Sequence, residues 1–305
     1  LFLGWNWLLC AIHPFSMSPT LLLHLVVFAW SLTAILGKLI TIPAADVAVW
    51  RTGMAAIGFA LVAKLMHVPL KVPRDELWKL LGIGWIMGWH WLLFFLSTRL
   101  STASVTLAAM PAIMITCSLA EPLVDGTRRW RRSELLVGLM IIGAVSLIYQ
   151  VELRYWLGFT VALVSVLLAT VFALGNKTLT HRHHFAPLCF WQMVGACASC
   201  LVALPFVSGT WLPLVPGPWD LLWLLVLSQV CTVGGYAGYI IVLRHLSMFT
   251  INVVYNLEPI YGIVLAALIF GSTEQMSLGF YAGAAIIVGS VLALPWLKAK
   301  PVPLT

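Results

Sequence analysis

The feature that most constrains this chain is a procession of long apolar runs. Between Thr20 and Leu297 there are about ten of them, cut at 20–40, 46–66, 77–97, 102–123, 134–150, 155–177, 186–207, 219–243, 249–271 and 277–297 by short breaks rich in charge, Pro or Gly. Each is near the ~20 residues that a helix needs to cross the hydrocarbon core of a bilayer. Backbone inside hydrocarbon must satisfy its own polar groups, and the alternating pattern of barrel strands is missing, so the runs are expected to be helices. Charged residues make up only 9% of the chain and hydrophobic ones 62%. A soluble domain carries roughly 25% charged residues, so little of this chain is left to form one. The fold class that follows is all-α, a polytopic membrane protein of ten transmembrane helices.

The net charge of +7 does not point to nucleic acid, because the basic residues sit in the short breaks between apolar runs. With the N-terminus inside, thirteen Lys and Arg fall on the inner side, among them Lys64, Lys71, Arg74 and the run Arg128-Arg129-Trp130-Arg131-Arg132. Four fall outside: Lys38, Arg51, Arg99 and Arg154. That imbalance places both ends in the cytoplasm; the membrane expected is a bacterial-type inner one. Residues 1–16 are too short to span and lack a basic leader; they read as an extension ahead of Met17, the expected physiological start, with an interfacial segment anchored by Trp5 and Trp7 as the alternative. Cys197-Ala-Ser-Cys200 lies in mid-helix without a second pair and reads as small residues packing against a neighbour. His181-Arg-His-His184 has no carboxylate or Cys partner within its loop, so no metal is expected there. A phosphate-binding Gly-rich loop ending in Lys-Ser or Lys-Thr is absent, and no cofactor is expected.

The two halves resemble each other. Gly37-Lys38 answers Asn176-Lys177, Trp50 answers Trp191, and Thr102 through Pro111 aligns without a gap to Thr250 through Pro259. Gly138 and Gly143 match Gly283 and Gly289 with one residue of slippage. Five runs per half is an odd number, so the second half must be inverted relative to the first. Residues 17–150 and 151–297 are therefore expected to be inverted repeats, with 298–305 a cytoplasmic tail. Such repeats mark alternating-access transporters whose site lies near the midplane.

Leu257-Glu-Pro-Ile-Tyr-Gly-Ile-Val-Leu-Ala-Ala-Leu-Ile-Phe-Gly271 and Gly279-Phe-Tyr-Ala-Gly283, with His90-Trp91 and Leu119-Ala-Glu-Pro-Leu123 in the first half, resemble the EamA branch of the drug/metabolite transporter superfamily. The resemblance runs from about residue 20 to 297 and extends to exporters of aromatic amino acids of the YddG type. It implies ten helices in two five-helix repeats, with spans 1, 3, 4, 6, 8 and 9 around a central cavity. One departure is visible: many relatives write Gly-Glu at the end of the ninth span, whereas here Gly271-Ser272 precedes Glu274.

Polar and aromatic residues inside the spans are the candidates for substrate contact. The ninth span carries Asn252, Tyr255, Asn256 and Glu258 beside Pro259. A carboxylate in hydrocarbon costs at least ~2.5–3.5 kcal/mol and asks for a function or a partner. Both readings stand for Glu258: a pocket wall that binds an amine or a proton, or a hydrogen-bond network that locks packing. In the fourth span Pro111 leaves the Leu107 carbonyl without its usual donor, with Thr106 and Met110 nearby. Pro111 and Pro259 are the expected hinges. The third span offers Trp85, Trp89, His90 and Trp91, an aromatic wall with a second titrating group. The eighth offers Gln229, Thr232 and Tyr236 on one stripe, and the first offers Trp30 and Ser31.

The expected function is a secondary transporter, not an enzyme. It would export small amphipathic metabolites, amino acids including aromatic ones, with lipid as its surroundings, either coupled to protons through Glu258, His90 or both, or as a passive facilitator. A broad drug exporter or a sugar- or nucleotide-type carrier is the alternative within that class. A membrane-embedded enzyme using His90 and Glu258 is the alternative outside it. Few Lys or Arg are expected near the midplane, which argues against multiply charged substrates.

Overall fold

The computed structural model describes residues 18–124, 153–180, 182–246, 251 and 254–298, with positions 140, 143, 144, 147 and 150 between them. The expectations for residues 1–16, most of the run 134–150, His181, Asn252 and the end of the tail lie outside these residues. Helix α1 spans Pro19–Leu39, α2 Ala44–Leu65 and α3 Arg74–Leu100. The short α4, Ala103–Ala109, is followed by α5, Ala112–Val124. Then come α6 (Trp156–Leu179), α7 (Phe185–Val207) and α8 (Pro218–Leu225). A π-helical stretch, Val226–Gly234, leads into α9, Gly235–His245. The chain ends in α10 (Glu258–Phe270) and α11 (Leu278–Lys298).

Among the described residues, seven helical stretches are long and apolar enough to cross a membrane, and they coincide with seven of the ten expected spans. The run 277–297 forms α11, whose described apolar part is shorter, Leu278–Ser290. Large apolar side chains such as Leu61, Leu65, Phe206 and Leu268 stand exposed on the outer faces. So extensive an apolar surface marks an integral membrane protein. Trp78 at one end of the bundle, and Trp156, Trp211 and Trp219 near helix starts or in loops, are exposed as interfacial tryptophans are.

Two expected spans are not continuous helices. The run 102–123 breaks at Met110-Pro111, because Pro111 has no N–H for the Leu107 carbonyl. That carbonyl is not left bare: the Met110 N–H reaches it at 3.1 Å in a tighter turn. The run 249–271 breaks at Asn256-Leu257, where the Leu257 N–H bonds to the Val254 carbonyl at 3.0 Å. Helix α10 then begins with Pro259 in its first turn, where a missing N–H costs nothing. The broken elements meet, since a Cβ on Gly262 of α10 would collide with Leu107 of α4.

The centre of the bundle is a close contact between α3 and α7. A Cβ on Gly84 would strike the Gln192 carbonyl, one on Gly88 would strike Ser199 and Ala196, and one on Gly195 would strike Leu81. Small residues four apart let backbones approach in this way. The Cys pair belongs to the same packing: Cys197 Sγ faces the Val49 carbonyl at 3.9 Å and Cys200 Sγ the Gly88 carbonyl at 3.5 Å. Helices α2 and α7 are tied by a reciprocal exchange. Trp50 near the start of α2 donates to the Leu214 carbonyl in the loop after α7, at 2.8 Å. Trp191 near the start of α7 donates to the Leu70 carbonyl in the loop after α2, also at 2.8 Å. The start of each helix lies by the end of the other, so they run antiparallel.

One end of the bundle is fastened by charge. Glu274, after α10, accepts from Lys38 Nζ at 2.6 Å and from the Ala103 and Ser104 N–H groups at 3.1 and 3.0 Å. Thr102 takes the Val105 N–H at 3.1 Å, so three orphan donors of the α4 N-terminus are satisfied. Asp220 accepts from the Thr41 N–H and hydroxyl, each at 2.7 Å, and Arg99 donates to the Ile40 and Ile42 carbonyls. At the other end Glu76 pairs with Arg182 and His183, which supplies from α3 the carboxylate missing within that loop. No cluster of three or more metal-ligating residues occurs among the described residues.

Burial alone would raise the Glu274 carboxyl, but the hydrogen bonds from Lys38 and the α4 N-terminus hold it below the usual carboxylate range. A carboxylate depressed in the folded state adds stability above its ordinary range and loses it as pH falls through the depressed value. Glu274→Gln is therefore expected to cost about 1.5–3 kcal/mol at neutral pH. Its deficit against the parent should shrink in acid when melting is followed in detergent between pH 7 and 3. For the helix contact, Gly84→Ala and Gly88→Ala should each cost about 1–3 kcal/mol through overpacking. Gly82→Ala, whose Cβ would meet nothing within 4 Å, should be neutral or stabilising in the same melts.

Candidate functional site

The helix interruptions converge on one cavity of about 210 Å³. Trp30 and Thr33 come from α1, Arg51 from α2, and Met87, His90, Trp91 and Phe94 from α3. Met110 and residues of α5 as far as Ser118 form another wall, with Phe172 and its neighbours from α6. Cys231, Thr232, Tyr236 and Tyr239 come from the π stretch and α9, and Tyr255 and Glu258 from the break before α10. The wall is mainly apolar and aromatic, with few polar groups, as small-molecule sites are.

Arg51 is the residue that sequence reasoning placed wrongly. It had been counted with the outer positive charges, yet it is 2% exposed and borders the cavity. It is the eighth residue of α2, and its side chain is buried inside the bundle. Its guanidinium sits 4.0 Å from the Trp91 ring centroid and 5.5 Å from that of Phe95. Nε donates to Thr232 Oγ1 at 2.8 Å, whereas Nη1 is buried without a hydrogen-bond partner. Few cations were expected inside the spans, and the cavity wall carries this one, over an aromatic face. The signal available in the sequence was an Arg at the sixth position of the apolar run 46–66, the same kind of oddity that drew attention to Glu258.

Glu258 is 5% exposed and opens the first turn of α10, where the helix dipole favours a carboxylate. Glu258 borders the same cavity as Arg51. Trp91 lines the cavity beneath Arg51, while Trp89 packs into the core and Trp85 is 39% exposed on the outer face. The aromatic wall of α3 therefore reduces to one tryptophan, with Phe94. His90 borders the cavity but its Nδ1 is engaged by Ser165, 2.9 Å from the carbonyl and 2.8 Å from the hydroxyl. Ser165 in turn donates to the His90 carbonyl at 2.9 Å, a two-way lock between α3 and α6.

Trp30, Met110, Thr232, Tyr236 and Tyr255 also border the cavity. Trp30 donates to the Cys231 carbonyl at 3.0 Å, and its ring lies 5.2 Å from Tyr255 and 5.4 Å from Tyr239. Tyr236 is held by Asn176 Nδ2 at 2.7 Å and donates to Gln192. Four other candidates lie outside the lining. Ser31 donates to its own helix at Phe28, and Thr106 bonds to Ser97 at 2.7 Å. Asn256 Nδ2 faces Met114 Sδ at 3.7 Å. Gln229 donates to the Met54 carbonyl on α2 at 3.0 Å. The stripe drawn at 100° per residue put Gln229 beside Tyr236, but the wider turns of the π stretch rotate it away. The close approach that Gly235 and Gly238 allow is filled by Trp30 and Val26 of α1.

A crystal structure with 16% sequence identity matches with a TM-score of 0.66, covering 93% of this chain and 99% of its own. At that identity the likeness is one of fold. No protein of curated function matches the sequence. Residues 156–295, within the second half of the chain, match the EamA-like transporter family.

Proposed function

We propose that the protein is a secondary transporter of a bacterial-type inner membrane that exports small amphipathic metabolites, amino acids including aromatic ones, as exporters of the YddG type do. The observation that carries this reading is a cavity between helices of both halves, with a cation and a carboxylate buried on its wall. The family match over residues 156–295 supports the class. Ten helices in two inverted repeats, both ends cytoplasmic, are the architecture proposed. The antiparallel α2 and α7, with their matched tryptophan bonds, are what an inverted repeat requires.

The substrate would sit among Trp30, Trp91, Thr232, Tyr236, Tyr255 and Glu258. The helix breaks at Met110-Pro111 and Asn256-Leu257, with Pro259 behind the second, would serve as hinges. The end fastened by Glu274, Asp220 and Arg99 would then be a closed gate. A volume of about 210 Å³ lies below the roughly 300–1,000 Å³ of drug-sized pockets, which favours a metabolite over a bulky drug. A proton would couple through Glu258, since the Nδ1 of His90 is committed to Ser165.

The purified chain in proteoliposomes, loaded with labelled amino acids, nucleosides or dyes, should release amino acids, and faster under an imposed pH gradient. Glu258→Gln should remove most of that acceleration, at least several-fold. No movement of any amino acid would overturn the substrate class, and an unchanged gradient response in Glu258→Gln would remove Glu258 as the coupling group.

A further inference from the structure

We infer that Arg51 is a carboxylate anchor, and that the cavity takes small monoanionic or zwitterionic carboxylates bearing an apolar or aromatic side group. This rests on the transport reading above and assigns the charge on its substrate.

The guanidinium is fixed from three sides. Trp91 lies beneath it at 4.0 Å, Phe95 stands beside it at 5.5 Å, and Thr232 takes Nε at 2.8 Å. A donor so buried and so constrained costs free energy unless something completes its hydrogen bonds, yet Nη1 meets no acceptor. The planar fork matches a carboxylate, which can accept two parallel N–H bonds. Glu258 borders the same cavity, 5% exposed, but no ion pair joins it to Arg51 among the described residues. A cation and an anion held apart in one small cavity suit a ligand carrying both charges. The carboxylate would meet Arg51, an amine where present would meet Glu258, and the apolar group would lie against the aromatic wall of Trp30 and Tyr255. Among the described residues the wall carries a single buried Arg and no Lys, so a monoanion is favoured over a multiply charged phosphate.

Four ligands of one skeleton separate the charges: L-phenylalanine, 3-phenylpropionate, L-phenylalaninamide and phenethylamine. Binding is read as ligand-induced stabilisation of the purified full chain, and transport as efflux from proteoliposomes. Phenylalanine should bind best, 3-phenylpropionate about tenfold more weakly, and the two compounds without a carboxylate at least a hundredfold more weakly. Arg51→Gln should abolish the preference for the carboxylate while leaving phenylalaninamide unchanged, and Arg51→Lys should restore part of it. Equal binding of phenylalanine and phenylalaninamide by the parent protein would overturn the inference, whether or not the variant folds. So would a uniform loss of all four ligands in a folded Arg51→Gln. If Arg51 served only to balance Glu258, the Arg51→Gln/Glu258→Gln double variant would fold stably and keep the parent's ligand ranking, again against the inference. Efflux of nucleosides or dyes but of no carboxylate would leave the transporter reading standing and remove this one. Movement of no solute at all would remove the transporter reading, while the binding series still decides the role of Arg51.

Discussion

Inside hydrocarbon, a polypeptide has no water to complete its backbone hydrogen bonds, and the architecture of this protein follows from where that requirement is relaxed. The helical ladder is regular over most of the described spans. It becomes irregular at Met110-Pro111, at Asn256-Leu257 and through the π stretch 226–234. All three places border the same cavity, through Met110, Glu258 and Thr232. Irregular backbone in a membrane protein is tolerated where it is buried or faces a cavity, and here it does both. Each irregularity also carries its own repair, as when the Met110 N–H takes the Leu107 carbonyl that Pro111 cannot reach.

The same economy governs charge. Ionised groups within the bundle are expensive unless each finds a partner. Glu274 has Lys38 and the N-terminus of α4, Asp220 has Thr41, and Asp46 accepts from the Leu214 N–H at 2.6 Å. Arg51 is the exception, supported by an aromatic face and one hydroxyl but with a donor to spare. That donor and the unpartnered Thr33 hydroxyl both lie on the cavity wall. Beside them Trp30, His90 and Tyr236 are engaged in holding helices together.

Much of this was legible in the sequence. Long apolar runs with charged breaks are a coarse, redundant signal, so the spans that fall on described residues appear within a few positions of where they were drawn. Glu258 and Trp91 were visible because a carboxylate and a large amphipathic ring are conspicuous inside an apolar run. What failed was phase. Gln229 was placed with Tyr236 by assuming a uniform 3.6-residue turn, which a π-helical stretch violates without any mark in composition. Trp85 and Trp89 shared a short segment with Trp91, but neighbours in sequence point in different directions on a helix, and of the three only Trp91 borders the cavity. Arg51 was lost to a counting rule that treats any cation near a helix end as solvated. The face of the helix, turned toward Trp91 and Thr232, was what mattered.

The paired tryptophan bonds have a mechanical consequence. Trp50 reaches the loop beyond α7 at one face of the bundle, and Trp191 reaches the loop beyond α2 at the other. Axial translation of either helix past its neighbour would stretch one tether and compress the other, breaking both in a single step. Tilting or pivoting about a point between the tethers leaves each bond near its present length. With the backbones of α3 and α7 in contact at Gly84 and Gly88, the layer also resists shear. Rotation is the soft coordinate of this bundle, and sliding the stiff one.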